Sequence, residues 1–186
     1  MQTTNKLLVL CFFCLVLTLV SGCGGGVPKL TPAEQAEVDK IFAEHGRDAI
    51  LYLLLDLRQN MDELNITDEE DKLTLKYVKY FAAQGANVNA KSENNRGLVV
   101  TSHSLTPLHV VKYVSTAKFL VSKGADVNAE AKVLGIEGCT PLDIAEGGTV
   151  PMPSVIPDVT IPRNTALVEY LESIGAKHGK MGDSLR

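Results

Sequence analysis

Tryptophan is missing from this chain, and phenylalanine and tyrosine number only five each. Positive charge is in the minority: 18 Lys and Arg face 22 Asp and Glu, for a formal net charge of −4. Nucleic acid is therefore excluded as an expected partner, because it needs a basic footprint to release counterions or aromatic platforms to stack bases. Motifs for chemistry are lacking too. There is no Gly-x-Ser-x-Gly elbow, no phosphate-cradling loop and no pair of histidines at helical spacing; His45, His103, His109 and His178 are scattered. The chain is expected to be a non-enzyme with no cofactor and no metal. What it does have is apolar content: 45% hydrophobic residues suffice for one packed domain and exclude wholesale disorder.

The apolar content begins early. Lys6 supplies one positive charge, Leu7 to Val20 are 14 mostly apolar residues, and Ser21-Gly22-Cys23 is a small-residue junction. These are the three parts of a secretory signal. As a helix the apolar run rises about 21 Å, short of the ~30 Å hydrocarbon core, so a permanent span is not expected. The junction Val20-Ser21-Gly22-Cys23 resembles the lipobox of bacterial lipoproteins. That resemblance implies removal of residues 1–22 and acylation of Cys23, whose several acyl chains anchor far better than one. Gly24, in place of Asp, resembles the default for sorting to the outer membrane. The implied location is the periplasmic side of a membrane, expected to be the outer one. Processing removes Cys11 and Cys14, uses Cys23 as the anchor and leaves Cys139 alone, so no internal disulfide is expected.

Beyond a tether at 23–30, the chain repeats itself. Gln84-Gly-Ala-Asn-Val-Asn-Ala90 recurs as Lys123-Gly-Ala-Asp-Val-Asn-Ala129, and weakly as Ile174-Gly-Ala-Lys177. Thr106-Pro-Leu-His109 recurs 34 residues later as Thr140-Pro-Leu-Asp143. In each pair Thr can cap a helix whose first position suits Pro, and Leu then enters the core. Gly85, Gly124 and Gly175 stand where helices need a left-handed stop, and Asn89 and Asn128 suit the tight turn that follows. Upstream, Thr31-Pro-Ala-Glu34 and Thr67-Asp-Glu-Glu70 have capping-box form, and Ile50 to Leu55 is almost continuously apolar.

These two motifs, in this order, resemble the ankyrin repeat. The resemblance implies an all-α repeat fold, a helix-turn-helix solenoid with hairpin fingers. A capping helix is expected at 31–46 and about three repeats at 47–90, 91–129 and 130–179, so the repeat domain covers 31–179 and a tail covers 180–186. His109 is then a structural residue that hydrogen-bonds within and between repeats, and Cys139 is a partly covered thiol.

Departures from the pattern are informative. Ala90 and Thr106 are 16 residues apart, against about seven in the compact repeat. The extra residues lengthen one finger, and Leu98 to Thr101 has the composition of an extended hairpin. The finger at Glu130 to Cys139 is slightly long, while Thr106 to Gly124 is short by about three, which clips the first helix or its turn. Between Glu146 and Asn164 lies an insertion with Pro151, Pro153, Pro157 and Pro162, which forbid helix and impose extended or polyproline geometry. Val150, Met152, Val155, Ile156, Val159 and Ile161 make it too apolar for a solvated linker.

Finger and helix–helix turn sit at opposite ends of an ankyrin repeat, so the two insertions would bracket its concave face. The expected partner-binding residues are Arg96, Leu98, Val99, Val100 and His103 on the finger, Lys112 and Tyr113 at the clipped helix, and Met152, Val155 and Ile156 on the insertion. The partner expected from the family resemblance is another protein, bound by a chain that is otherwise a monomer. The preferred role is an inhibitor or immunity protein against a toxic effector enzyme such as a lipase. The alternative is a scaffold or protector of a resident periplasmic enzyme such as a catalase.

Overall fold

Among the described residues three helices open with Thr-Pro, and the computed structural model shows what those pairs do. It describes residues 27–59, 67–92, 103–150 and 159–179. Thr31 caps α1, Pro32–His45, through a reciprocal box: its hydroxyl accepts from the Glu34 amide, and the Glu34 carboxylate accepts from the Thr31 amide at 2.6 Å. A 3-10 turn, Gly46–Asp48, leads into α2, Ala49–Gln59. Helix α3, Asp68–Ala83, starts at Thr67 with four acids in its first turn, where the helix dipole favours them.

Helices α4, Pro107–Val110, and α6, Pro141–Glu146, start from Thr106 and Thr140, which share the same extended backbone, φ −98 and ψ 165. Each is followed by a longer partner: α5, Val114–Ser122, and α7, Thr165–Ser173. The expected shortening falls on the first helix of the middle pair, since α4 has four residues where α6 has six.

The packing is in two rows. Helices α2, α4 and α6 lie side by side, α3, α5 and α7 form a second row against them, and α1 packs on α2 and α3. The inner row contributes Ile50, Leu51, Leu108 and Leu142 to the core, and the outer row Phe81, Leu120 and Leu171, all nearly or fully buried. Full burial of each such side chain stabilises by about 1.5–3 kcal/mol. At the α1 end, Glu34 is buried with Lys76 Nζ at 2.7 and 2.8 Å from its two oxygens. Burial works to raise the Glu34 pKa, but Lys76 and the Thr31 hydrogen bonds outweigh it and hold it below its usual value.

Strands appear between and within the helix pairs. β1, Ala131–Val133, and β2, Ile136–Cys139, form the hairpin expected at 130–139. Its two-residue turn puts Leu134 at φ 53 and Gly135 at φ 86, the left-handed pair that matches hairpin twist. A leucine there costs about 1–2 kcal/mol of backbone strain, which burying its side chain to 7% exposure offsets. The preceding finger is closed at its base, where Ser92 pairs with Ser104 and Leu105, and His103 exchanges backbone hydrogen bonds with Lys132. The hairpin expected at Leu98 to Thr101 lies outside the described residues.

The insertion forms a hairpin that was not foreseen as one. β3, Gly148–Val150, pairs antiparallel with β4, Val159–Ile161, in the register Gly148 to Ile161, Thr149 to Thr160 and Val150 to Val159. Its four prolines lie between or after the strands and not within them, so no ladder donor is lost. Among the described residues, no helix is long and apolar enough to cross a membrane.

Candidate partner-binding surface

The surface rests on joints between successive helix pairs, and the fourth residue of each Thr-Pro-Leu motif makes one. His109 is 1% exposed. The Thr106 amide, 3.1 Å from Nδ1, can only donate, so Nδ1 is an unprotonated acceptor and the proton sits on Nε2. Nε2–H then donates to the Cys139 carbonyl at 3.1 Å, tying α4 to the end of the next finger. Burial, against the pull of that bond, lowers the His109 pKa to about 4, so the ring is neutral at ordinary pH. Asp143 plays the matching part in α6. One carboxylate oxygen accepts from the Thr140 amide and the Gly179 amide, both at 2.9 Å.

The asparagines of the Gly-Ala-Asn/Asp-Val-Asn motifs sit in the tight turn expected of them, closed by Ala90 to Asn87 and Ala129 to Asp126, and their side chains do something more. The side chain two positions earlier also braces the turn: the Asn87 side chain accepts from the Asn89 amide, and Asp126 from the Asn128 amide. Asn89 is thereby free to reach the next motif, donating to the Gly124 carbonyl and accepting from the Asp126 amide, each at 2.8 Å. Asn128 repeats this by accepting from the Lys177 amide at 2.7 Å. A single motif in a sequence contains the turn and the latch together, and only the neighbouring copy reveals which side chain does which.

The two insertions take root at different ends of the short inner helices. The finger closes onto Ser104 and Leu105, just before α4, whereas the β3–β4 hairpin leaves α6 at its C-terminal end. Gly147 carries the hairpin out at φ 69, and a Cβ there would collide with the Ile161 carbonyl oxygen and lie 2.9 Å from the Arg163 amide. The returning strand is held by Asn164. Its amide donates to the Ala145 carbonyl at 2.8 Å, and its side chain donates to the Lys112 carbonyl at 2.7 Å while accepting from the Leu167 amide to cap α7. A cavity of about 20 Å³ beside His109, Lys112, Pro162 and Asn164 has room for a water and no larger guest.

Of the expected contact residues, Arg96, Leu98, Val99, Val100, Met152, Val155 and Ile156 lie outside the described residues, as does Cys23. His103 is half-buried at the finger base. Lys112 and Tyr113, read as surface residues, are instead buried, at 8% and 4% exposure. The shortness of α4 turns this segment inward: the Tyr113 hydroxyl donates to Glu70 at 3.1 Å, and Lys112 Nζ lies 5.7 Å from the Tyr113 ring centre. Burial, then Glu70, raises the Tyr113 pKa well above its usual value. Glu70 thus serves Tyr113, and at Thr67 the bond that remains is the one from the Glu70 amide to the Thr67 hydroxyl. Cys139 is fully buried, its thiol pushed up to about 11 by burial, and Sγ faces the Ile136 carbonyl at 3.2 Å.

Residues 103–132, which hold α4, α5 and the start of the finger hairpin, match the family model of the ankyrin repeat. The match supports an ankyrin-repeat protein, and ankyrin repeats serve protein–protein interaction. No curated protein and no solved structure matches the chain.

Proposed function

We propose that this protein is a lipid-anchored periplasmic lipoprotein whose residues 31–179 form a three-repeat ankyrin stack gripping another protein. It acts as an inhibitor or immunity protein against a toxic effector enzyme such as a lipase. The observation that carries the binding role is the matched repeat, flanked by a lengthened finger and by the inserted β3–β4 hairpin. Fold alone does not name a partner, so the inhibitory role is a reading of size, anchoring and added loops. Cys23 is the anchor in this reading, held at the outer membrane.

The test uses the whole protein. Affinity capture from detergent-solubilised membranes, followed by mass spectrometry, is expected to return an enzyme whose activity falls when the purified protein is added. A captured enzyme whose activity is unchanged but whose lifetime lengthens would favour the protective role over inhibition. Cys23→Ser is expected to release a folded protein from membranes, and absence of palmitate label on the wild type would overturn the anchor.

A further inference from the structure

We propose that Glu146, Glu172 and His178 form a binding site for a divalent transition-metal ion such as Zn²⁺, which staples the C-terminal segment to the last helix pair. Glu146 is the final residue of α6, Glu172 lies in the last turn of α7, and His178 follows that helix. One ligand atom from each lies within 4.8 Å of the others. An imidazole with two carboxylates is a donor set that suits Zn²⁺, with water completing the shell. Bonds of ~2.0–2.1 Å place tetrahedral donors about 3.4 Å apart, so the side chains need to close by up to about 1.4 Å. Glu172 is exposed and Glu146 half-buried, so the adjustment falls to the two glutamate side chains.

Two further features point to an ion there. The first is how the imidazole is held. Asp143, with a fully buried side chain, accepts from the Gly179 amide through one oxygen, and its other oxygen lies 3.2 Å from His178 Nδ1. A carboxylate on one ring nitrogen supports a ligating histidine through the other, so Nε2 is the metal ligand here, and Nδ1, which also lies 3.7 Å from Glu146 Oε2, stays with Asp143. The second is charge. Asp143, Glu146 and Glu172 bring three carboxylates around one imidazole, and Arg163, 3.9 Å from Glu146, is more than half exposed. A divalent cation offsets that excess where a proton on His178 offsets only part of it. The segment it would fasten already closes the end of the stack, since Lys177 receives a hydrogen bond from Thr140 and gives one to Asn128. Terminal repeats lack a neighbour on one side, so a staple has most effect there.

The test is titration of the full-length protein, in detergent and without a polyhistidine tag, with Zn²⁺ and with Co²⁺ as a spectroscopic probe. One equivalent is expected to bind, with a visible Co²⁺ ligand-field band and a higher melting temperature. Glu172→Gln and His178→Gln change side chains at the surface. Each is expected to weaken binding at least tenfold and abolish the thermal shift, while His45→Gln leaves both intact. Absence of stoichiometric binding, or binding by either variant with wild-type affinity and the wild-type band, would overturn the site.

Discussion

His109 is the side chain with most to lose in acid. The unfolded chain takes up a proton at His109 near its ordinary pKa of 6.5, whereas the folded protein resists until about 4. Between those values the unfolded state binds more protons, so stability falls as pH falls. The loss is expected to be on the order of 3 kcal/mol by pH 4. Urea unfolding at pH 7, 5.5 and 4 measures it, and His109→Gln, which does not titrate, should flatten the profile above pH 4.5. Two glycines make a second contrast at this scale. Gly124 ends α5 at φ 88 with open space around it, so Gly124→Ala is expected to cost about 1 kcal/mol of backbone strain alone. Gly147 has the Ile161 carbonyl in the place of a Cβ. Gly147→Ala should therefore lower the melting temperature several-fold more, and equal shifts for the two variants would contradict the close approach.

At the scale of elements, the Thr-Pro-Leu motif both starts an inner helix and plants its core residue. Leu108 and Leu142 are each 1% exposed. Truncating either to alanine is expected to destabilise by roughly 2–5 kcal/mol, the usual cost of removing a buried leucine side chain. A single cooperative melt is expected to persist in both variants, and calorimetry checks both points. Most helix starts were legible in the sequence, because a cap is a local device: Thr31, Thr106 and Thr140 act within three residues of themselves. Thr67 shows the limit. Its capping box looks complete in the sequence, yet Glu70 is used by Tyr113, 43 positions away. The same long-range bond helps hold Tyr113, a contact residue by its sequence, in the core.

Across the whole molecule, the insertion offers the sharpest test of the binding surface. Replacing residues 149–162 with a short Gly-Ser linker removes β4 and all of β3 but Gly148, and keeps Gly147 and Asn164. Partner capture is expected to fall sharply while the melting temperature barely moves, because Asn164 still caps α7 and bonds Ala145 and Lys112. A collapse in stability would instead make the hairpin part of the core, and no change in either measure would put the interface elsewhere. Repetition carried much of the architecture. Two copies of each motif at a near-constant spacing mark helix starts, helix ends and fingers without any coordinates, since a repeat is built from local caps, turns and apolar periodicity. Spacing along the chain also located both insertions and the shortened pair. What only the tertiary structure decided are the pairings across that chain. They are the latch from Asn89 to the next Gly-Ala-Asp motif, the His109 bond to Cys139, the joining of β3 to β4 across the proline-rich stretch, and the meeting of Glu146, Glu172 and His178. Each depends on where a second element comes to rest: Asn89 and Gly124, or His109 and Cys139, are far apart in the chain, and prolines part β3 from β4, so no local pattern says that they touch.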